Sequence, residues 1–148
     1  MKVLASNRRA RFEYEFLERF TAGLVLTGSE VKSVRAGHVK LQDGWVAFEV
    51  GEAFLADVHI SPYQNAGYAN HEPTRRRKLL LAKRDIERLA GKVAEKGLTV
   101  IPLAVGLEDN WIKVELALAK GKKLYDKRET IKRRTLDREA QAALKERR

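Results

Sequence analysis

The chain has 148 residues, 44% of them hydrophobic, which is enough for one domain with a proper core and too few for two. Its 30 Lys and Arg outweigh 20 Asp and Glu, and a net charge of +10 points to a polyanionic partner, nucleic acid rather than membrane. The absence of cysteine excludes disulfides, thiolate zinc sites and cysteine nucleophiles, and no stretch has the apolar length of a secretion signal or a membrane span, so a soluble cytoplasmic protein is expected.

From Phe12, apolar Phe12, Tyr14 and Phe16 alternate with Glu13 and Glu15, and Leu24-Val25-Leu26 follows Thr21-Ala22-Gly23. Period two predicts a strand, a turn and a second strand. Gly28 to Gly37 reads as a short helix capped by Ser29, with Val31 and Val34 on one face and Gly37 as the stop. Leu41 to Ile60, broken by Gly51, gives a β-hairpin signal. Ser61 to Arg77 holds Pro62, Asn65, Gly67, Asn70 and Pro73, a density of breakers that predicts a long surface loop. Arg75-Arg76-Arg77-Lys78 then runs into Leu79-Leu80-Leu81.

Ile86, Leu89, Ala90, Val93 and Ala94 recur at helical spacing between Lys83 and Lys96, ahead of Gly97. A second hairpin follows, Thr99 to Val105 and Trp111 to Leu118 around Glu108-Asp109-Asn110, and Pro102 argues for an edge or a bulge. Without βαβ alternation, the expected fold is mainly β with helices: an OB-fold-like antiparallel β-barrel with inserted α-helices over residues 1–119, followed by a basic C-terminal tail over 120–148.

That tail carries 12 Lys and Arg against 5 Asp and Glu, leaving 18 and 15 in residues 1–119, so the body is nearly balanced. Ile131, Leu136, Ala140 and Leu144 form only a sparse apolar stripe. A segment so charged is expected to be disordered when free and to fold on a polyanion.

No catalytic constellation emerges. His38, His59 and His71 lack metal-ligand spacing, no glycine-rich phosphate loop is present, and Glu108-Asp109 reads as turn chemistry before it reads as a magnesium site. The expectation is a protein without enzymatic activity and without cofactor or metal.

Three basic clusters remain. Arg8, Arg9 and Arg11 suit phosphates while Asn7 offers a donor and an acceptor to a base or ribose; the alternative is a solvated N-terminus. Arg75, Arg76, Arg77 and Lys78 follow the loop and adjoin an apolar segment that would hold them rigidly; solvated loop charge is the alternative. Lys122, Lys123, Lys127 and Arg128 flank Tyr125, which can stack on a base while its neighbours neutralise phosphates.

In this order the clusters resemble the small protein B family, the tmRNA-binding (SsrA-binding) proteins of bacterial trans-translation. The matching segments are Asn7 to Tyr14, Gly28 to Gly37, Gly51 to Leu55, Pro73 to Leu81, and Ala119 to Lys123 with Asp126-Lys127-Arg128. The resemblance implies an OB-like barrel bound to the tRNA-like part of tmRNA, delivering alanyl-tmRNA to ribosomes stalled on truncated messages. The body would replace the missing anticodon arm, and the tail would probe the decoding centre and the empty mRNA channel of the small subunit, where it becomes helical.

Implied partners are tmRNA, small-subunit rRNA and, through the shared tmRNA complex, elongation factor Tu. Asn7, with neighbouring Arg8, Arg9 and Arg11, and Arg75, Arg77, Lys78 and Leu80 fall on the tmRNA-binding patches. Lys122, Lys123, Tyr125, Asp126, Lys127 and Arg128 fall on the ribosome-directed tail, continued by Lys132, Arg133 and Arg134. Thr21 and Tyr125 depart from relatives that carry an acid and a histidine at those places. A structural ribosomal protein would have a similar composition, and a nuclease using Glu108, Asp109 or the histidines is the remaining class.

Overall fold

The computed structural model describes residues 1–63 and 70–122. In chain order the elements are β1 (Lys2–Ser6), α1 (Ala10–Glu13), β2 (Tyr14–Leu24), α2 (Gly28–Arg35), β3 (Val39–Lys40), β4 (Trp45–Glu49), β5 (Glu52–Ala56), β6 (His59–Ile60), β7 (Arg77–Leu80), α3 (Lys83–Lys96), β8 (Thr99–Glu108) and β9 (Trp111–Gly121). Seven strands form one sheet in the order β1-β8-β9-β2-β7-β5-β4, and β3 pairs with β6 in a separate ribbon. Every pairing is antiparallel.

The sheet curls until β4, at one end of the order, packs against β8 near the other. Among the described residues no ladder joins those two strands, so the curled sheet meets itself through packing rather than hydrogen bonds. The main core gathers Leu55, Leu79, Leu89, Val100 and Leu116. A smaller cluster of Ala10, Ile101, Leu103, Ala117 and Ala119 lies under Tyr14 and Phe16. Strands β8 and β9 are thus covered on both faces, which accounts for their nearly unbroken apolar sequence.

Helix α3 forms as its periodicity predicts, burying Ile86 and Leu89 and ending on Gly97 in the left-handed region. Both hairpins form as well: Val50 and Gly51 join β4 to β5 with φ of 47° and 75°, and Asp109 and Asn110 join β8 to β9 with φ of 50° and 67°. Two-residue connections with positive φ at both positions match strand twist. Pro102 stands at a register shift, the bulge its ring called for, although β8 lies between two neighbours and is not an edge.

Three local expectations change. Thr21-Ala22-Gly23 makes no turn: β2 runs unbroken through it, with Thr21, Ala22 and Gly23 facing Glu115, Val114 and Lys113 on β9. Pairing with β9 throughout, joined by β7 at Gly23, overrides the local breaker signal. Phe12 and Glu13 belong to the one-turn α1 rather than to a strand. The cap of α2 is Thr27, not Ser29: its hydroxyl accepts from the Glu30 N–H while Glu30 accepts from the Thr27 N–H, a capping box.

Candidate nucleic-acid interface

On β7, side chains alternate between the two faces of the sheet. Arg77 and Leu79 point in; Lys78 and Leu80 point out. The run of cations read from the sequence therefore enters the core at one position, and Arg77, expected at the RNA surface, is fully buried. Its Nε donates to Glu30 Oε2 at 2.5 Å, Nη1 donates to the Val58 carbonyl at 2.7 Å, and Nη2 donates to the carbonyls of Pro73 at 2.9 Å and Glu72 at 3.3 Å.

Glu30 is also fully buried, and Arg75 Nη2 donates to its Oε1 at 2.5 Å. Burial alone would raise this carboxyl, but hydrogen bonds from Arg75, the Thr27 N–H and Arg77 outweigh it and hold the group down at about 2. Burial lowers Arg77 from its ordinary value, partly offset by Glu30, and the guanidinium stays charged. Arg77 is thus a clamp: one side chain ties α2, the end of β5–β6 and the Glu72–Pro73 turn together. His71 reinforces the same junction, with Nδ1 2.8 Å from the Ser29 hydroxyl and Nε2 2.9 Å from the Ile60 carbonyl.

Around this clamp the outward residues form the first basic surface. Arg75 is half-buried and paired with Glu30, Arg76 pairs with Glu49 and lies 5.7 Å over the Trp45 ring, and Lys78 Nζ is 3.3 Å from Glu52. Leu80 is 57% exposed, an apolar residue standing among these charges. Solvated ion pairs are worth only about 0–1 kcal/mol, so a phosphate can displace Glu49 or Glu52 at little cost.

The second surface lies beyond β8, β9 and β2 in the strand order, where β1 gives way to α1. Asn7 is anchored by two bonds to the bulge of β8: its N–H donates to the Leu103 carbonyl at 2.7 Å and Nδ2 donates to the Pro102 carbonyl at 3.0 Å. That leaves Oδ1 and the second Nδ2 hydrogen to offer a ligand. Arg8, Arg9 and Arg11 are exposed and make no ion pair among the described residues. Asn7, Arg8 and Arg9 line a hollow of about 440 Å³ with Lys40, Asp57 and His59.

Lys122 belongs to this surface too. Its N–H donates to the Glu13 carbonyl and its Nζ to the Arg11 carbonyl, each at 2.9 Å, so the root of the tail is fastened beside the N-terminal arginines. Lys123, Tyr125, Asp126, Lys127, Arg128, Lys132, Arg133 and Arg134 lie outside the described residues, as do positions 64–69 of the breaker-rich loop. Sequence reasoning missed Glu30, whose burial makes the Arg75–Arg77 geometry possible; the Thr27/Glu30 spacing of a capping box was its one visible signal.

Glu108 and Asp109 sit at the β8–β9 turn, and among the described residues no group of three or more His, Asp or Glu could hold a metal ion. Nor, among them, is any helix long and apolar enough to cross a membrane.

A curled antiparallel sheet with cationic surfaces set apart on a rigid frame defines a small polyanion-binding β-domain. The family model described as SmpB protein matches residues 4–146, and the chain belongs to the SmpB family. Relatives named SsrA-binding protein include those of Synechococcus sp. (strain JA-2-3B'a(2-13)), 57% identical over 99% of this chain and 96% of theirs, and Gloeothece citriformis (strain PCC 7424), 54% identical over 97% and 94%. A solved structure described as "tmRNA-SmpB: a journey to the center of the bacterial ribosome" superposes with a TM-score of 0.70 at 47% identity, covering 86% of this chain and 93% of that one.

Proposed function

We propose that the protein binds tmRNA and acts with it in trans-translation on stalled ribosomes, as a non-enzymatic cytoplasmic factor. The observation that carries this reading is similarity over nearly the whole chain to proteins named for binding SsrA RNA, together with 47% identity to the SmpB of a tmRNA–SmpB ribosome structure. In this reading Asn7, Arg8, Arg9 and Arg11 on one surface and Arg75, Lys78 and Leu80 on the other hold the folded RNA. Arg77 shapes the β7 surface from inside and touches no phosphate.

The tail from Lys123 onward is then available for a second RNA, the small-subunit rRNA around the decoding centre and mRNA channel. There Tyr125 stacks among Lys123, Asp126, Lys127 and Arg128, and Lys132, Arg133 and Arg134 follow it into the channel. Elongation factor Tu joins through the tmRNA rather than through this chain.

Truncation tests the division of labour. Because β9 runs to Gly121 and Lys122 is bonded to the body, the cut belongs after Lys122. The truncated protein is expected to bind tmRNA with an affinity close to that of the full chain and to support no peptide tagging on stalled ribosomes. A collapse of tmRNA affinity would overturn the assignment.

A further inference from the structure

A mostly apolar hollow lies beside the first basic surface, between α2, the end of β2, β7 and the start of β9. It measures about 590 Å³ and is lined by Val25, Val31, Arg35, Leu80, Trp111 and Lys113 among others. Three of these are exposed large hydrophobics: Trp111 at 73%, Leu80 at 57% and Val25 at 46%. An indole normally buries most of its surface, and grouped exposed hydrophobics mark contact sites where single ones do not.

Local structure explains why Trp111 stays uncovered. The Asp109-Asn110 turn hands the chain directly to β9, making Trp111 the first residue of the strand, opposite Glu108 at the open end of the sheet. Gly23 explains the floor. It faces Leu80 on one side and Lys113 on the other, and a Cβ there would stand 3.2 Å from Leu80 Cδ1, so the bare backbone lets Leu80 lie close across β2. The two cations at the rim, Arg35 and Lys113, make no ion pair among the described residues, unlike Arg75, Arg76 and Lys78. An apolar hollow with an exposed indole, flanked by positive charge without carboxylate partners, matches a nucleobase with its neighbouring phosphates, whereas an apolar protein segment would leave both cations unanswered.

We infer that this groove receives one unstacked base of the bound RNA, laid on the Trp111 indole against Leu80, with Lys113 and Arg35 on the adjoining phosphates. The inference rests on the tmRNA-binding reading and adds to it a recognition mode: an extrahelical base, where the arginine clusters hold only backbone.

The chain has two tryptophans, Trp45 and Trp111, so the full-length Trp45→Phe variant reports on Trp111 alone. Titration with tmRNA transcribed in vitro is expected to quench its fluorescence at the concentration where binding saturates. Trp111→Ala should weaken tmRNA binding roughly 5- to 150-fold, the range for losing one base–aromatic stack, with an unchanged salt slope because no phosphate contact is lost. Trp111→Phe, which keeps a ring, should retain most of the affinity. Since Trp111 is largely solvated, an unaltered urea midpoint in both variants will show that the fold is intact.

Wild-type affinity in Trp111→Ala with no quench in Trp45→Phe, while binding still weakens with salt, overturns the groove and leaves the tmRNA reading standing. Loss of ribosome association without loss of tmRNA affinity also overturns it, by assigning the groove to another surface. If the wild-type protein does not bind tmRNA at all, the reading itself falls and the groove with it.

Discussion

Replacing Arg77 by Met separates a structural arginine from an RNA-binding one. The substitution removes a buried guanidinium that bonds Glu30 and the carbonyls of Val58, Glu72 and Pro73. Glu30 keeps Arg75 and the Thr27 N–H but loses the partner with which it shares the core. Breaking a buried pair from one side costs about 3–5 kcal/mol, a large share of the roughly 5–15 kcal/mol that holds a domain of this size together. With a urea slope of about 2 kcal/mol/M, the midpoint should fall by roughly 2 M.

The Glu30→Gln, Arg77→Met double variant should lose less than the sum of the two single variants, since no lone charge remains, with a coupling of about 0.5–3 kcal/mol. In the same preparations tmRNA binding is measured against salt under conditions where the variant is folded. Arg77→Met should leave the slope of log K against log salt unchanged, while Lys78→Ala lowers it by about 1. A wild-type urea midpoint in Arg77→Met together with a slope reduced by about 1 would refute the clamp and return Arg77 to the surface.

Two further outcomes follow from the same geometry. Glu30 is held at about 2 against an ordinary value of 4.5, so its contribution is fully present above the ordinary value and is lost as pH falls through the folded one. The shift corresponds to about 3 kcal/mol, and Glu30→Gln, less stable at neutral pH, should converge on the wild type near pH 2 in acid-unfolding curves; curves that remain parallel would dissociate Glu30 from acid stability. Neutralising Arg8 and Arg9 together, both exposed and without ion pairs among the described residues, should lower the salt slope of tmRNA binding by about 2 with no change in urea midpoint, and an unchanged slope would remove that face from the interface.

Much of this frame is legible in the residues. The period of Ile86, Leu89 and Val93 defines α3, the glycine at 51 and the Asp109-Asn110 pair define two hairpins, and Pro102 marks its bulge. What local reading misses is pairing at a distance. Thr21-Ala22-Gly23 has turn composition, yet β9 pairs with all three and β7 joins at Gly23, which keeps the segment extended. Strand β1 escapes notice because it is exposed along most of its length and shows no alternation.

At the site, charge content was visible but its direction was not. Four successive cations look equivalent in one dimension; the pleat of β7 turns Arg77 inward, and that burial is tolerable only because Glu30, 47 positions earlier, is brought opposite by the capping box of α2. The outward cations have carboxylate partners that spacing could not reveal, Glu49 for Arg76 and Glu52 for Lys78. Lys122, read as tail, is fastened to the body.

The most direct test of the central claim is the identity of the RNA that the protein holds in cells. Isolation of the full chain under native conditions from a bacterium expressing it, followed by sequencing of the co-purified RNA, should return one dominant species that can be charged with alanine and encodes a degradation tag. Recovery of ribosomal RNA in stoichiometric amounts from unstressed cells, with tmRNA no more abundant than in the lysate, would contradict the account.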